Sequence, residues 1–472
     1  MSPVQRRCPA TNAARSAAGA TVVAFSAALS GAVWADGYGC VPHEAVPDQV
    51  VVELEDSTSI SEVLAAIQPQ FPGVRVLVAL PGGESFLLSA PEPICEQALV
   101  NALQALPGVE AEFNESGESS IGQTQSFFFA GLSGADFTDQ YSWPLVGLDA
   151  AHTVATGAGL VVAIIDSGLD VTHPLLADAT VLPGADYVGD NAGFADVGDG
   201  IDNDGDGAID EMAGHGTFVA GLIHTIAPDA AILPLRVMNS DGVGSEFAVA
   251  GALLEAKARG ADVVNLSFVS QQPSGLLSSI INQLVANGTV VVVAAGNLGS
   301  KNSPPFPAGM ASICAVASTG PNDVVPPWSN LGSFVDVCAP GIDVVSSLPG
   351  DQYAYASGTS VSTAFATGAA LLVRSTYPRY TVSDVVATLR NTATSIDSVN
   401  PGCAGLLGGG RIDLAAAVGV VSNPADLDGD GAVNAIDLGL LIGAWGSPNA
   451  DLSGDGTTDA VDLGILIGAW TG

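Results

Sequence analysis

The sequence predicts an α/β protein whose main domain is a three-layer fold around a mainly parallel central sheet. Three patterns carry that expectation. From about Gln140 to Val421, continuous apolar strand runs alternate with helical runs, as in a sheet covered on both faces. Between Gln49 and Asn114 the order strand, helix, strand, strand, helix, strand reads as a separate small α+β unit. After Pro424 an aspartate-rich segment repeats with a period of 25 residues and reads as a small helical domain.

Composition bounds the rest. The 472 residues suffice for two or three domains, and the hydrophobic fraction of 48% fills a substantial core. Charged residues are only 13%, with 12 basic against 49 acidic for a net charge of −37, so nucleic acid and anionic membrane surfaces are poor partners. Such acidity suits several calcium sites; the alternative is an acidic bias shared across the source organism's proteins.

Residues 1–35 read as a secretory signal peptide. Arg6, Arg7 and Arg15 form the basic region, Ala17 to Ala32 is small and apolar, and Val33-Trp34-Ala35 offers a cleavage site before Asp36. No later stretch is long and apolar enough to span a bilayer. Secretion permits disulfides. Once Cys8 leaves with the signal, Cys40 with Cys95 and Cys314 with Cys338 are pairings to test against simple buried thiols, with Cys403 left over.

The small unit spans residues 46–115. Gln49 to Leu54 reads as a strand, Ile60 to Ile67 as a helix, Val74 to Val78 and Ser85 to Leu88 as strands about Pro81-Gly82-Gly83, Ile94 to Leu106 as a helix and Pro107 to Phe113 as the closing strand. Residues 116–139 are Ser/Gly/Gln-rich, which suits an exposed, cleavable connection. The main domain follows over residues 140–421. Its strands are Leu160–Ile165, Ala231–Val237, Val263–Leu266, Val290–Val293 and Ile313–Val316, with helices such as Phe247–Ala258 and Ser274–Ala286 between them. In such a sheet, sites gather at the carboxyl ends of the strands.

Four stretches there carry chemistry. Asp166 directly follows a strand, in Ile165-Asp166-Ser167-Gly168. His215, one of five histidines, opens a small-residue helix in His215-Gly216-Thr217. Asn297 ends Ala294-Ala295-Gly296-Asn297 after a strand. Ser360 lies in Gly358-Thr359-Ser360, where a loop enters an Ala-rich helix that stops before Pro378. A serine at such a helix start has free N–H groups and the positive end of the helix dipole beneath it. Each residue alone has an ordinary reading as a turn or cap residue. In the order Asp, His, Asn, Ser on one parallel α/β domain, they resemble the subtilisin-like serine proteases, or subtilases.

The resemblance covers about Gln140 to Val421 and includes Gly410-Arg411-Ile412-Asp413. It implies a subtilisin-like fold and peptide-bond hydrolysis through an acyl-enzyme. Ser360 would be the nucleophile, His215 the general base, Asp166 its orienter and Asn297 an oxyanion donor. It also implies an extended substrate between Gly242-Val243-Gly244 and Ser267-Phe268-Val269, with Ala294, Ala295 and Gly296 lining the main side-chain pocket. Val269 replaces a usual glycine, Phe218 a common histidine, and Val361, Ser362 and Ala364 the usual residues after the nucleophile. The unit at 46–115 resembles an inhibitor-type propeptide, especially in Leu106-Pro107-Gly108-Val109-Glu110, which implies a zymogen matured within 116–139. The rival expectation is a non-catalytic secreted binding or adhesion protein on the same fold.

Two kinds of acidic loop remain. Asp202, Asp204, Asp206 and Asp210 alternate around glycines just before His215, and no Lys or Arg lies between Asp190 and Glu211. Calcium suits such oxygen ligands. Residues 424–472 repeat a twelve-residue loop. Asp426, Asp428, Asp430 and Asp437 supply the ligands in the first copy, and Asp451, Ser453, Asp455 and Asp462 in the second. With eight Asp and no Glu, Lys or Arg, the segment is expected to need calcium to fold. It resembles a type I dockerin pair, which implies a cohesin-like or cell-surface scaffold partner. Ala435, Ile436, Ala460 and Val461 are apolar where dockerins commonly carry polar recognition residues.

Overall fold

The computed structural model describes residues 45–55, 58–91, 94–118, 132–189, 193–420, 424–428 and 433–471. The expected signal peptide and residues 119–131 of the connection lie outside them. The chain forms two compact units. Among the described residues, one holds 45–117 with Gly244–Leu254 and Ser274–Ile280, and the other holds the remainder.

In the first unit the elements run β1 (Ala45–Leu54), α1 (Ile60–Ile67), β2 (Arg75–Ala79), β3 (Ser85–Ser89), α2 (Glu96–Gln104) and β4 (Val109–Glu118). β1 lies between β3 and β4, antiparallel to both. Alternate residues Val50, Val52 and Leu54 enter a core with Val63, Ile67, Leu99 and Leu103, as the period of two demands.

The second unit begins with three short helices, α3 (Gly134–Thr138), α4 (Ser142–Val146) and α5 (Leu148–His152). Then come β5 (Val161–Asp166), β6 (Ala185–Asp186), α6 (His215–Ile226) and β7 (Ala231–Arg236). β8 (Val243–Ser245) and α7 (Glu246–Ala258) begin the stretch shared with the first unit. The chain continues through β9 (Val263–Leu266), α8 (Gly275–Ala286), β10 (Val290–Ala294), β11 (Cys314–Thr319), β12 (Val337–Pro340), β13 (Val344–Leu348) and β14 (Gln352–Ala356). It closes with α9 (Thr359–Thr376), α10 (Val382–Thr392), α11 (Leu414–Ala417), α12 (Ala435–Gly443) and α13 (Ala460–Gly468).

The central sheet has seven strands in the order β12-β11-β10-β9-β5-β7-β6, and they pair in parallel. Residues Val290–Ala294 are buried throughout, which explains their unbroken apolar run. Helix α9 is buried from Thr359 to Val373. Its small residues allow close approach: a Cβ on Gly368 would stand 2.6 Å from Ile226 of α6. The first unit's sheet runs β2-β3-β1-β4-β8. Within that unit Glu112 accepts from the N–H groups of Gly275 and Leu276 at 3.0 and 2.8 Å, capping the start of α8.

The cysteine expectation needs a correction. Cys314 and Cys338 are free and buried. β11 and β12 are neighbours, but Cys338 pairs with Ala317, three residues along from Cys314. At roughly 3.3 Å per residue that offset of about 10 Å is too long for a disulfide. Cys403 is also free. Cys95 is disulfide-bonded, and Cys40 lies outside the described residues.

Candidate active site

The carboxyl end of β5 delivers Asp166, and the amino end of α6 delivers His215. Asp166 Oδ1 lies 2.6 Å from His215 Nδ1 and accepts the Ser167 N–H at 2.7 Å. Their chain segments approach this closely because Gly216 has no side chain: a Cβ there would lie 2.2 Å from the Gly168 carbonyl oxygen. Both residues are at most 2% exposed. His215 Nε2 is buried without a hydrogen-bond partner among the described residues.

Asn297 follows β10. Its Oδ1 accepts both the Thr359 N–H, at 2.9 Å, and the Thr359 hydroxyl, at 2.8 Å. Flipping the amide would set its NH2 against the backbone N–H, so the orientation is fixed. The buried Nδ2 is thereby left with no partner among the described residues. A buried, unpaired donor costs stability, so it marks a place kept for another acceptor.

Ser360 is the second residue of α9 and fully buried. Gly358 stands at the cap, so Ser360 is not the helix cap its ordinary reading would make it. Its hydroxyl donates to the Ser267 carbonyl at 2.8 Å, and Ser267 Oγ returns a bond to the Ser360 carbonyl at 3.2 Å. Ser267, Val269, Ala294, Ala295 and Gly296 are buried, with Phe268 partly exposed between them. Val269 Cγ2 would stand 3.4 Å from a Cβ on Gly296, so it occupies space that a glycine would leave open. Gly242 is buried, and Val243 and Gly244 are half-buried in or beside β8.

The acidic loop divides. Asp202, Asp204 and Asp206 bring carboxylate oxygens within 4.8 Å of one another. Desolvation, then the Asp206 and Asp202 charges, push the Asp204 carboxyl above its ordinary range. A divalent cation fits that crowding. Asp210 stands apart: its carboxylate takes the N–H groups of Asp199 and Gly200 at 2.8 and 3.0 Å. In the C-terminal repeats, Asp426, Asp428 and Asp437 also gather within 4.8 Å, while Asp430 lies outside the described residues. In the second copy Asp462 accepts the Ser453 N–H at 2.7 Å, and Asp451 accepts the Gly454 and Gly456 N–H groups at 2.8 and 2.6 Å. Asp455 accepts the Thr457 N–H at 3.0 Å.

Two further residues shape the site: Thr359, within the Gly358-Thr359-Ser360 motif but with no role expected of it, and Asp196, which belongs to no motif. Thr359 fixes Asn297. Asp196 is a buried carboxylate between the Asp166 turn and the His215 helix, accepting from Ser167 Oγ, Gly214 N, Thr217 N and Thr217 Oγ1. Its only sequence signal was an Asp among many in an acidic loop.

A seven-stranded parallel sheet with an Asp–His pair and a buried helix-start serine defines a serine peptidase of the subtilisin type. The chain belongs to the subtilase family, whose model matches residues 157–419, and it also carries a dockerin type I domain, matched over 424–469. It is 35% identical over 278 residues to subtilisin BL of Lederbergia lenta, covering 57% of this chain and 94% of that protein. It is 36% identical over 257 residues to thermitase of Thermoactinomyces vulgaris, covering 54% and 89%. Among solved structures, fervidolysin from Fervidobacterium pennivorans, a keratinolytic enzyme related to subtilisin, matches with a TM-score of 0.65 at 21% identity, over 80% of this chain and 62% of that one. The chain is thus a serine-type endopeptidase of the subtilase family. No helix among the described residues is long and apolar enough to cross a membrane.

Proposed function

We propose that Asp166, His215 and Ser360 form the catalytic triad of a secreted endopeptidase made as a zymogen. The observation that carries this reading is the 2.6 Å Asp166–His215 contact, together with two buried atoms, His215 Nε2 and Asn297 Nδ2, that have no hydrogen-bond partner among the described residues. Ser360 Oγ turns from the Ser267 carbonyl to His215, attacks the scissile carbonyl and gives its proton to Nε2. His215 then protonates the leaving amine. Water, activated by the same imidazole, hydrolyses the acyl-enzyme and restores Ser360. Asp166 holds the Nδ1–H tautomer and stabilises the imidazolium. The Asn297 amide and the Ser360 N–H receive the oxyanion. The substrate runs extended along Ser267-Phe268-Val269 and Gly242-Val243, with Ala294, Ala295 and Gly296 at its side-chain pocket.

Residues 46–115 act as the inhibitor-type propeptide, removed by cleavage within 116–139. The Glu112 cap on α8 supports that role. Calcium is structural, held by Asp202, Asp204 and Asp206 and by the two C-terminal loops; its charge offsets carboxylates in stretches of sequence that carry no Lys or Arg. The tail tethers the enzyme to a cohesin-like or cell-surface scaffold. Ile436, Ile442, Trp445, Val461, Ile467 and Trp470 lie exposed on or just after its two helices and offer an apolar contact surface.

Ser360→Ala tests the reading. Casein hydrolysis by the full chain should fall about 10^4-fold or more, and a variant keeping full activity refutes the nucleophile. Retention of the tail on a cohesin column with calcium, and its loss with chelator, tests the tether.

A further inference from the structure

Asp196 has no part in the mechanism above, yet it is built into the site. It is 1% exposed. The segment Phe194–Asp196 docks on the turn after β5, where the Leu169 N–H donates to the Phe194 carbonyl at 2.8 Å. Gly168, at φ +131°, permits this, because a Cβ there would stand 2.8–2.9 Å from the Phe194 and Ala195 backbone. Asp196 Oδ1 accepts from Ser167 Oγ at 3.0 Å and Gly214 N at 2.8 Å. Its Oδ2 accepts from Thr217 N at 2.9 Å and Thr217 Oγ1 at 2.7 Å.

The donor directions favour the carboxylate. Ser167 Oγ accepts the Gly216 N–H at 2.9 Å, so its own hydrogen is free to donate. Thr217 Oγ1 likewise accepts the Asp170 N–H at 2.9 Å and donates onward. All four contacts to Asp196 are therefore donors, and a proton on the carboxyl would have to displace one of them. Burial pushes the Asp196 carboxyl up, while the Thr217 and Gly214 bonds oppose that rise. Two of the donors are backbone N–H groups at the start of α6, where an anion is favoured.

We propose that Asp196 is a positioning residue for peptide-bond hydrolysis: as a carboxylate it locks the His215 helix start against the Asp166 turn and adds a buried negative charge that stabilises the imidazolium. The inference rests on the triad reading above. Charged or titratable groups around this helix start include Asp166 on β5, whose charge acts on Asp196, Asp170 beyond its turn, Asp210 and Glu211 on the segment before the helix, with Asp241 accepting the Asp210 N–H, and Arg236 on β7. Arg236 donates to the Ser167 carbonyl at 3.1 Å and pairs with Asp186 at 3.3 Å. One cation thus stands against several carboxylates. Removing the Asp196 charge should make His215 easier to deprotonate.

The test uses the full chain, a peptide anilide substrate, and active sites counted with a fluorophosphonate. Asp196→Asn keeps the shape, removes the charge and sets an NH2 against existing donors. The expected result is a kcat lowered about tenfold or more with KM within about twofold, and an acid limb of kcat/KM moved down by about half a pH unit. Ser167→Ala keeps the charge and breaks one tie, so kcat should fall about threefold with the acid limb in place. A folded Asp196→Asn enzyme with wild-type kcat and an unmoved acid limb overturns the proposal. If that variant does not fold, wild-type kcat in Ser167→Ala overturns it. A wild-type chain that takes no label overturns the triad reading itself, which is a separate result.

Discussion

The two ends of one loop treat the same side chain in opposite ways. At one end, Asp196 is buried and accepts four hydrogen bonds, from Ser167 on the Asp166 turn and from Gly214 and Thr217 at the start of α6. Six residues on, Asp202, Asp204 and Asp206 converge on one another at the surface and accept local backbone N–H groups. A buried carboxylate survives where donors outnumber charges. An exposed cluster survives through solvent or a cation. The first end ties the Asp166 turn to the His215 helix, and the second is suited to holding a cation.

The buried side of this contrast gives the largest effect. Asn297→Ala removes a buried donor that Thr359 aims and that has no partner among the described residues. kcat should fall about 10^2- to 10^3-fold with little change in KM. A loss below tenfold in steady-state assays would show that the amide faces no developing charge.

The exposed side gives an effect on stability. Chelation should lower the melting temperature of the full chain, and calcium at about 100 times its Kd should restore about 2.7 kcal/mol per site. Asp204→Asn should weaken the response from the loop before His215 and leave the response of the C-terminal repeats intact. Calorimetry with and without calcium separates the two. A melting curve indifferent to chelator would remove the metal from both places.

The smallest effect concerns Glu246, in the first unit. Its carboxyl is buried against Ser274, and desolvation with the neighbouring Glu112 charge raises its pKa well above 4.5. The folded form then holds a proton that the unfolded form has released, so stability falls as pH rises from about 4.5 through the folded value. Glu246→Gln should flatten that slope. Melting temperature against pH reads it directly, and a slope unchanged by the substitution would assign it to other groups.

The sequence announced the sheet because buried parallel strands leave unbroken apolar runs such as Val290–Val293. Asp166, His215, Asn297 and Ser360 were legible because each sits where a strand ends or a helix starts, in an order one family shares. Asp196 was hidden because its meaning lies in contacts across 18 to 29 residues, and neighbouring aspartates mask it. Cys314 and Cys338 misled for a related reason: they lie on adjacent strands, but strand register, which spacing does not reveal, keeps them apart. Asp210 fits the alternation of a metal loop, yet it turns to the backbone of Asp199 and Gly200 instead.

The most direct measurement is fluorophosphonate labelling of the full-length, calcium-loaded, matured protein, with the modified residue located by mass spectrometry. The triad predicts one adduct, on Ser360, whose rate collapses in His215→Ala. Absence of an adduct on Ser360, or an equal rate without the histidine, would contradict it.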